Sequence, residues 1–217
     1  QGSDRTVALD DFSDSQYRQN FKDYVKKVAK KYCPKYLGIG SEVNTYYDAH
    51  PDEFENFVTL YKESYEIAKQ ECPSVKIFTT MQYEQLINAL KQNKQGAHWN
   101  IINKFQQDYF AISTHPSGGV FAKPSDMPSN YYSQIREHSN LPVVIAESSW
   151  SSDTEYYGSE QGQADFIKRI PEMTKNLGLK LWIWWFVYDV KGSGLDFAPY
   201  FQMLGILNRD GTPKPAS

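Results

Sequence analysis

Apolar residues along the chain follow two alternating patterns, one typical of helices and one typical of buried strands. Residues 13–32 carry an apolar residue at every third or fourth position, which predicts an amphipathic helix. Ser13, with Gln16 three residues later, resembles a capping box at its start. Pro51, followed by an acidic first turn, predicts a second helix that runs to about Glu71.

Short apolar runs follow the helical segments and predict parallel strands. The predicted strands cover 36–41, 75–80, 109–114, 141–146 and 180–187. The pattern also predicts a broken helical region over 83–106, helices over 129–138 and 160–176, and a short helix near 198–204. Strands that alternate with helices require a parallel sheet covered on its outer face, as in a doubly wound sheet or a closed barrel.

Polar and aromatic residues gather just after these strands and favour the barrel. A doubly wound nucleotide-binding fold needs a glycine-rich turn after its first strand, whereas Gly38 and Gly40 lie within a strand here. Barrel active sites are built from the carboxyl ends of the strands. The sequence therefore predicts an α/β fold of the TIM (β/α)8 barrel type, with the parallel sheet inside and the helices outside.

Composition and charge narrow the possible partners. A net charge of -3 and a pI of about 5.8 argue against nucleic-acid binding. No apolar run approaches the roughly 20 residues that span a bilayer, so no membrane partner is predicted. Residues 1–3 (QGS) resemble an expression-tag remnant, and 4–217 is expected to form a single domain. The chain carries no signal peptide, so localisation cannot be read from it.

Two glutamates, Glu42 and Glu147, each stand at the end of an apolar strand. A carboxylate beside a buried strand is costly unless it is paired, hydrogen-bonded or exposed in a cleft. Either glutamate alone is more simply interpreted as a capping or salt-bridged group. Together, across a barrel mouth, they predict the paired carboxylates of glycoside cleavage.

Three motifs support that interpretation: IGSEVN around Glu42, IAESSW around Glu147, and the closing GILNRDGTPKPA. Over residues 36–214 they resemble the clan A glycoside hydrolases, including endo-β-1,4-galactanases and β-1,3-glucanases. The resemblance implies a retaining enzyme in which Glu42 is the general acid/base after the fourth barrel strand and Glu147 the nucleophile after the seventh. The chain would then be the C-terminal portion, about five βα units, of the barrel, acting on a β-linked oligo- or polysaccharide.

The same resemblance bears on some of the remaining site residues. The clan usually has an asparagine just before the acid/base; Ser41 stands there, and Asn44 is a candidate replacement. The clan also implies that His115 lies near the nucleophile, although a loop histidine beside Pro116 is an equal alternative. Tyr83 follows a strand and is a candidate for the cleft, although a packed tyrosine is the simpler interpretation. The candidate sugar platforms are Trp150 and Trp185, with one of the adjacent pair Trp184 and Trp185 packed in the core.

Other chemistry has little support. The four histidines lack zinc-site spacing, there is no serine-hydrolase elbow, and no metal or cofactor is predicted. Cys33 and Cys72 each precede a Pro and then a strand. The two cysteines therefore hold equivalent positions before successive strands, which predicts that they are neighbours below the sheet. Their Cα atoms are expected within about 7 Å, the limit for a disulfide bond. A disulfide and two free thiols both remain open.

If Glu42 follows the fourth barrel strand, the first three strands are not in this chain. Two sheet edges would then be unpaired, and inward side chains such as Ile39, Ile112 and Ile145 would face water. We expect a second copy of the chain or a separate N-terminal barrel fragment to cover them. Two other functions remain possible: a catalytically silent carbohydrate-binding relative, and a structural or engineered barrel fragment that self-associates.

Overall fold

A computed structural model describes residues 12–90, 98–117, 119–156, 158–190 and 199–217 of the chain. The predicted tag remnant, residues 1–3, lies outside the described residues. So does part of the broken helical region predicted over 83–106.

The strands form one parallel succession in chain order. They are β1 Tyr36–Gly38, β2 Lys76–Phe78, β3 Thr80–Gln82, β4 Phe110–Thr114, β5 Val143–Ser148 and β6 Leu181–Trp182. The strands β2 and β3 are two halves of one extended segment interrupted at Thr79; β2 pairs with β1, and β3 pairs with β4. Strand β5 then joins β4 to β6. The five predicted strands and their parallel α/β arrangement are confirmed.

The helices are α1 Ser15–Tyr32, α2 Val43–Ala49, α3 Phe54–Glu71, α4 Tyr83–Leu86, α5 Ile135–His138 and α6 Glu160–Thr174. Short 3-10 helices cover Trp99–Lys104, Pro124–Asp126, Thr154–Tyr156 and Pro199–Met203. The predicted first residues of two helices, α1 and α3, are wrong. Asp14, not Ser13, caps α1, because its carboxylate accepts the Tyr17 N–H at 2.6 Å. The helix α3 begins at Phe54, after a turn that Pro51 opens.

The main core lies between the sheet and the helices. Ile39, Ile112 and Ile145 are at most 1 % exposed and belong to it. The expectation that these side chains face the barrel interior is therefore wrong. Both faces of these strands are apolar, so alternation alone does not reveal which face points inward. The opposite, inner face carries Phe78, Ala111 and Val144, flanked by the partly buried Tyr36, Tyr109, Ala146 and Leu181.

A buried ion pair anchors the C-terminal segment. The ammonium group of Lys214 lies 2.7 Å from the Asp189 carboxylate and also donates to Ser152 Oγ at 2.8 Å. Both charged side chains are almost fully buried, and the neighbouring hydroxyl supplies part of the hydrogen bonding that burial of charge requires. Across the described ranges, no helix is long and apolar enough to cross a membrane.

Cys33 and Cys72 form a disulfide with a Cα–Cα distance of 5.3 Å, so the predicted proximity is confirmed. Each cysteine is the C-cap of a helix, α1 and α3 respectively, and Cys33 has a left-handed backbone with φ 38°. The bond therefore ties two helix ends together beneath β1 and β2, at the edge opposite the strand carboxyl ends.

Reduction of this disulfide should lower the free energy of unfolding by about 4 kcal/mol, because the bridged cysteines are 39 positions apart and their bond restricts the unfolded chain. Urea denaturation with and without reductant measures the difference. The double variant C33S/C72S should show the lower stability under both conditions. An equal midpoint for oxidised and reduced wild type would contradict this account.

Candidate active site

Glu42 stands at the junction of β1 and α2 in an unusual backbone conformation. Its φ of 48° and ψ of 46° lie in the left-handed region, which is uncommon for a residue other than glycine. The Glu42 N–H donates to Thr80 Oγ1 at 2.8 Å, which holds the turn against the next strand. Strained residues of this kind cluster at functional sites.

The Glu42 carboxyl is held by one hydroxyl and is largely removed from water. Ser113, on β4, donates through Oγ to Glu42 Oε1 at 2.5 Å. Burial raises the pKa of Glu42 above its ordinary value of 4.5, and the negative charges of Glu147 and Glu84 raise it further. The Ser113 hydrogen bond and the charge of His115 act in the opposite direction. At a given pH this carboxyl therefore keeps its proton more often than an exposed glutamate does.

A bulge in β5 turns Glu147 toward Glu42. Ile145 pairs with Ile112, but the next pair is Glu147 with Ser113, so Ala146 is an extra residue in β5. Val144 faces the barrel interior and Ile145 the helices. Strict alternation would send Glu147 toward the helices as well. The extra residue places it opposite Ser113, on the inner face.

His115 links the nucleophile candidate to the end of β5. Its Nε2 lies 3.0 Å from Glu147 Oε1, and its Nδ1 lies 2.7 Å from Ser149 Oγ. An ionised carboxylate can only accept, so with Glu147 ionised the Nε2 nitrogen carries a proton. In the neutral imidazole, Nδ1 then accepts from the Ser149 hydroxyl. His115 is thereby fixed in orientation from both sides.

The three side chains form a compact group. One carboxylate oxygen from each of Glu42 and Glu147, and one His115 ring nitrogen, all lie within 4.8 Å of one another. The two glutamates thus share the carboxyl end of the sheet, as predicted from the strand ends. Among the described residues this is also the grouping of acids and histidine compact enough to hold a cation. Both His115 nitrogens, however, already have hydrogen-bond partners.

Glu84, a fully buried carboxylate in α4, forms hydrogen bonds that hold the His115 main chain and its neighbours in place. Its Oε2 accepts the His115 main-chain N–H at 3.1 Å and the Gln82 side-chain amide at 2.8 Å. Its Oε1 accepts the hydroxyls of Thr114 at 2.6 Å and Tyr131 at 3.1 Å. Sequence reasoning missed Glu84, Ser113 and Ser149. Their position at or just beyond the end of a strand was the one feature of the sequence that could have indicated them. Many residues with a purely structural role share that position.

Three of the predicted site residues are packed inside the fold. Asn44 is fully buried, donating to the Gln82 carbonyl at 3.0 Å and accepting the Gln82 N–H at 2.8 Å, so its amide joins α2 to β3. Tyr83 is also fully buried and donates to the Tyr131 carbonyl at 2.6 Å. Trp150 is 0 % exposed and packs on Phe166, with ring centroids 5.3 Å apart. None of these side chains offers a surface to a ligand in the cleft, contrary to the expectation.

Two other predicted residues lie at the site. The Trp185 ring is partly exposed and its centroid lies 5.3 Å from that of His115. Trp184, its neighbour, donates through Nε1 to the Leu204 carbonyl and packs against the core, so one member of the pair is core, as predicted. Ser41 is exposed beside Glu42, and its hydroxyl accepts from Thr80 Oγ1 at 3.4 Å.

Solved glycoside hydrolase structures share this fold. A GH5_18 protein from Streptomyces cattleya, in complex with GlcNAc, superposes with a TM-score of 0.71 at 15% identity, covering 95% of this chain and 53% of its own. The exo-β-1,4-mannosidase of Opitutaceae bacterium strain TAV5 superposes with a TM-score of 0.71 at 13% identity, and the match covers 99% of this chain and 41% of the mannosidase. The GH53 catalytic domain of Ignisphaera aggregans superposes with a TM-score of 0.61 at 19% identity, and the match covers 92% of this chain and 64% of that domain.

These likenesses confirm the predicted fold, the TIM (β/α)8 barrel. The chain spans about half the length of the structures it matches, which agrees with a partial barrel. No protein-family model matches the chain, and no curated protein does.

The raised pKa of Glu42 predicts how stability changes with pH. A carboxyl whose folded-state pKa exceeds its unfolded value stabilises the fold fully below the unfolded pKa and loses that contribution as pH rises through the folded pKa. The stability of Glu42→Gln relative to wild type should therefore increase as pH rises from about 4.5, the ordinary pKa of Glu42. Urea denaturation at a series of pH values measures it.

The control for this prediction is Glu172→Gln, which removes a carboxylate from the exposed side of α6. Its stability relative to wild type should not follow the Glu42→Gln trend. A difference between wild type and Glu42→Gln that is constant with pH would show that Glu42 titrates normally in the folded protein.

Proposed function

We propose that this chain carries the catalytic carboxylates of a retaining glycoside hydrolase acting on β-linked carbohydrate, with Glu42 as general acid/base and Glu147 as nucleophile. The observation that supports it best is the approach of the two carboxylates to within 4.8 Å at the carboxyl ends of parallel strands. Retaining enzymes hold this pair about 5–5.5 Å apart, whereas inverting enzymes leave about 6.5–9.5 Å for a water molecule.

The proposed first step separates the roles of the two groups. Protonated Glu42 donates its proton to the glycosidic oxygen as the bond to the anomeric carbon breaks. The Glu147 carboxylate attacks that carbon from the opposite face and forms a covalent glycosyl ester. In the second step ionised Glu42 removes a proton from water, whose oxygen displaces Glu147 and releases the sugar.

The neighbours of each glutamate support this division. Burial favours the protonated form of Glu42, as a general acid requires. Glu147 instead lies 3.0 Å from His115 Nε2, and this contact fixes the orientation of its carboxylate. Ser149 contacts the Nδ1 atom of His115, and Glu84 accepts the His115 main-chain N–H. They act as positioning residues.

Carbohydrate is the proposed ligand because Trp185 offers a partly exposed ring beside His115. Aromatic rings stack on the apolar faces of sugars, and one of the matched structures holds GlcNAc. Ile183, which follows β6 two residues after the inner-face Leu181, is 42% exposed. We further propose that a second copy, or a separate N-terminal barrel fragment, covers this face and completes the cleft.

Removing either carboxylate should abolish most turnover. Glu42→Gln and Glu147→Gln should each lower kcat on aryl β-glycosides by about 10²–10⁴-fold or more, because acid/base catalysis contributes that much and the nucleophile cannot be replaced by an amide. Glu172→Gln should retain wild-type activity, since Glu172 lies exposed on α6.

The stereochemistry of azide rescue distinguishes the two roles. In Glu147→Gly, azide can occupy the vacated space and attack directly, so the glycosyl azide should have inverted configuration. In Glu42→Gly, azide replaces water in the second step, so the product should retain configuration. The anomeric signal in the proton NMR spectrum gives the configuration of the glycosyl azide formed by each variant. Turnover that is unchanged in both Gln variants would refute the proposal.

Ser41 favours a second candidate function, a catalytically silent carbohydrate-binding relative, because the clan's asparagine is missing there. If the chain is instead a hydrolase, Ser41→Asn should raise kcat/KM by roughly 5–10-fold, because one substrate hydrogen bond is regained. Its exposed position leaves room for the longer side chain. Ser41→Ala is the matched control. Binding of β-linked oligosaccharide without hydrolysis, in both wild type and Ser41→Asn, would select the binding relative.

A further inference from the structure

A second cavity, of about 480 Å³, lies between the start of α6 and the segment around Pro124. Its volume is within the range of small-ligand sites, about 300–1,000 Å³. Neither Glu42, Glu147 nor His115 lines it. The indole of Trp150, which packing excludes from the sugar cleft, forms part of its wall.

The cavity has an excess of positive charge. Lys123, Lys168 and Arg169 line it, against one acid, Asp165. The Asp165 carboxylate accepts from the Gln161 side chain at 2.7 Å and forms no ion pair with these cations within the described residues. Arg169 donates through Nη2 to the Met127 carbonyl. The three cations in the lining therefore outnumber the single carboxylate, and none of them forms an ion pair with it in the described residues.

Two buried donors in this wall have no acceptor. Trp150 Nε1 is buried, as is the whole residue, and makes no hydrogen bond to the described residues. Arg169 Nε is likewise buried and unpaired. A buried polar group without a partner costs about 1–3 kcal/mol. Native structures rarely retain such groups unless a ligand or water satisfies them.

Gly162 leaves space beside the buried indole nitrogen of Trp150. A Cβ at this position would lie 3.2 Å from Trp150 Nε1 and 3.0 Å from Ser159 Oγ. Gly162 lies in the first turn of the 15-residue helix α6, whose cap is Ser159. The positive end of the helix dipole thus lies beside the same cavity. Alanine would be the better helix former here, so the glycine is explained by space, not by helix propensity.

From these contacts we infer that the cavity binds a small oxyanion group, a carboxylate, sulfate or phosphate, between the Trp150 indole N–H, Arg169 and the two lysines. An oxyanion accepts from both orphaned donors and neutralises the excess of positive charge. The group could be free in solution or carried on a sugar, and the chemistry that recognises it is the same. This site is independent of the proposed hydrolysis.

The indole signals of the full chain test this inference directly. In ¹H–¹⁵N spectra each tryptophan side chain gives one signal, and Trp150→Phe identifies that of Trp150. Sodium phosphate added at constant ionic strength should move this signal saturably, with a Kd of roughly 1 mM. The signals of Trp182 and Trp184 serve as internal controls because their Nε1 groups already donate to Ser148 Oγ and the Leu204 carbonyl.

Two variants test the geometry without removing packed side chains. Gly162→Ala should abolish the Trp150 shift, while unchanged Trp182 and Trp184 signals show that the fold persists. The double variant K123Q/K168Q should weaken phosphate binding by roughly 5–10-fold, because both lysines are exposed and form no ion pair within the described part of the chain.

Sugar-borne and free anions are separated by comparing glucuronate with acetate, and glucose serves as the neutral reference. Tighter binding of glucuronate identifies a sugar-borne acid, and equal binding identifies a free anion; both support the site. The inference is overturned if phosphate and sulfate leave the Trp150 signal unmoved. It is equally overturned if sodium chloride moves the signal as much, or if all indole signals move together.

Discussion

A single extra residue in β5 determines whether this sheet can have a paired-carboxylate site. Side chains of a strand alternate between its two faces, so a glutamate two residues after Ile145 would face the helices with it. The bulge at Ala146 moves Glu147 to the inner face, opposite Ser113. Since Ser113 also donates to Glu42, the same register brings both glutamates to one point. The rest of the site is arranged around that point.

A buried carboxylate then stabilises the site from the helix side. Burying the charge of Glu84 is costly, and four hydrogen-bond donors from β3, β4 and the segment after β4 offset the cost. Burial and the neighbouring negative charge also raise the pKa of Tyr131 and Tyr132 above their ordinary values, so both remain protonated. The network therefore holds the His115 main chain in place, and its two tyrosines stay neutral near neutral pH.

The sequence predicted the strands, their parallel order and the two glutamates because these depend on local patterns of apolar and acidic residues. Residue type does not indicate which way a side chain turns after a strand. Asn44 and Trp150 therefore resembled ligand-binding groups but are packed inside. The bulge at Ala146 is set by pairing with β4, which a single strand's pattern does not reveal. The role of Ser113 depends on its hydrogen bond to Glu42, 71 positions away in the sequence, and a local pattern does not indicate that contact.

Three carboxylates share this neighbourhood, and the groups that surround them differ. No lysine or arginine forms an ion pair with Glu42, Glu84 or Glu147 in the described residues. Glu84 accepts from four donors. Glu147 faces an imidazole, and its side chain is 25% exposed. Glu42 accepts from one hydroxyl, and burial is the largest cause of its raised pKa. Burial therefore favours the protonated form of Glu42. In the proposed reaction, where one carboxyl must donate a proton and its partner must attack as an anion, the same asymmetry assigns the acid to Glu42 and the nucleophile to Glu147.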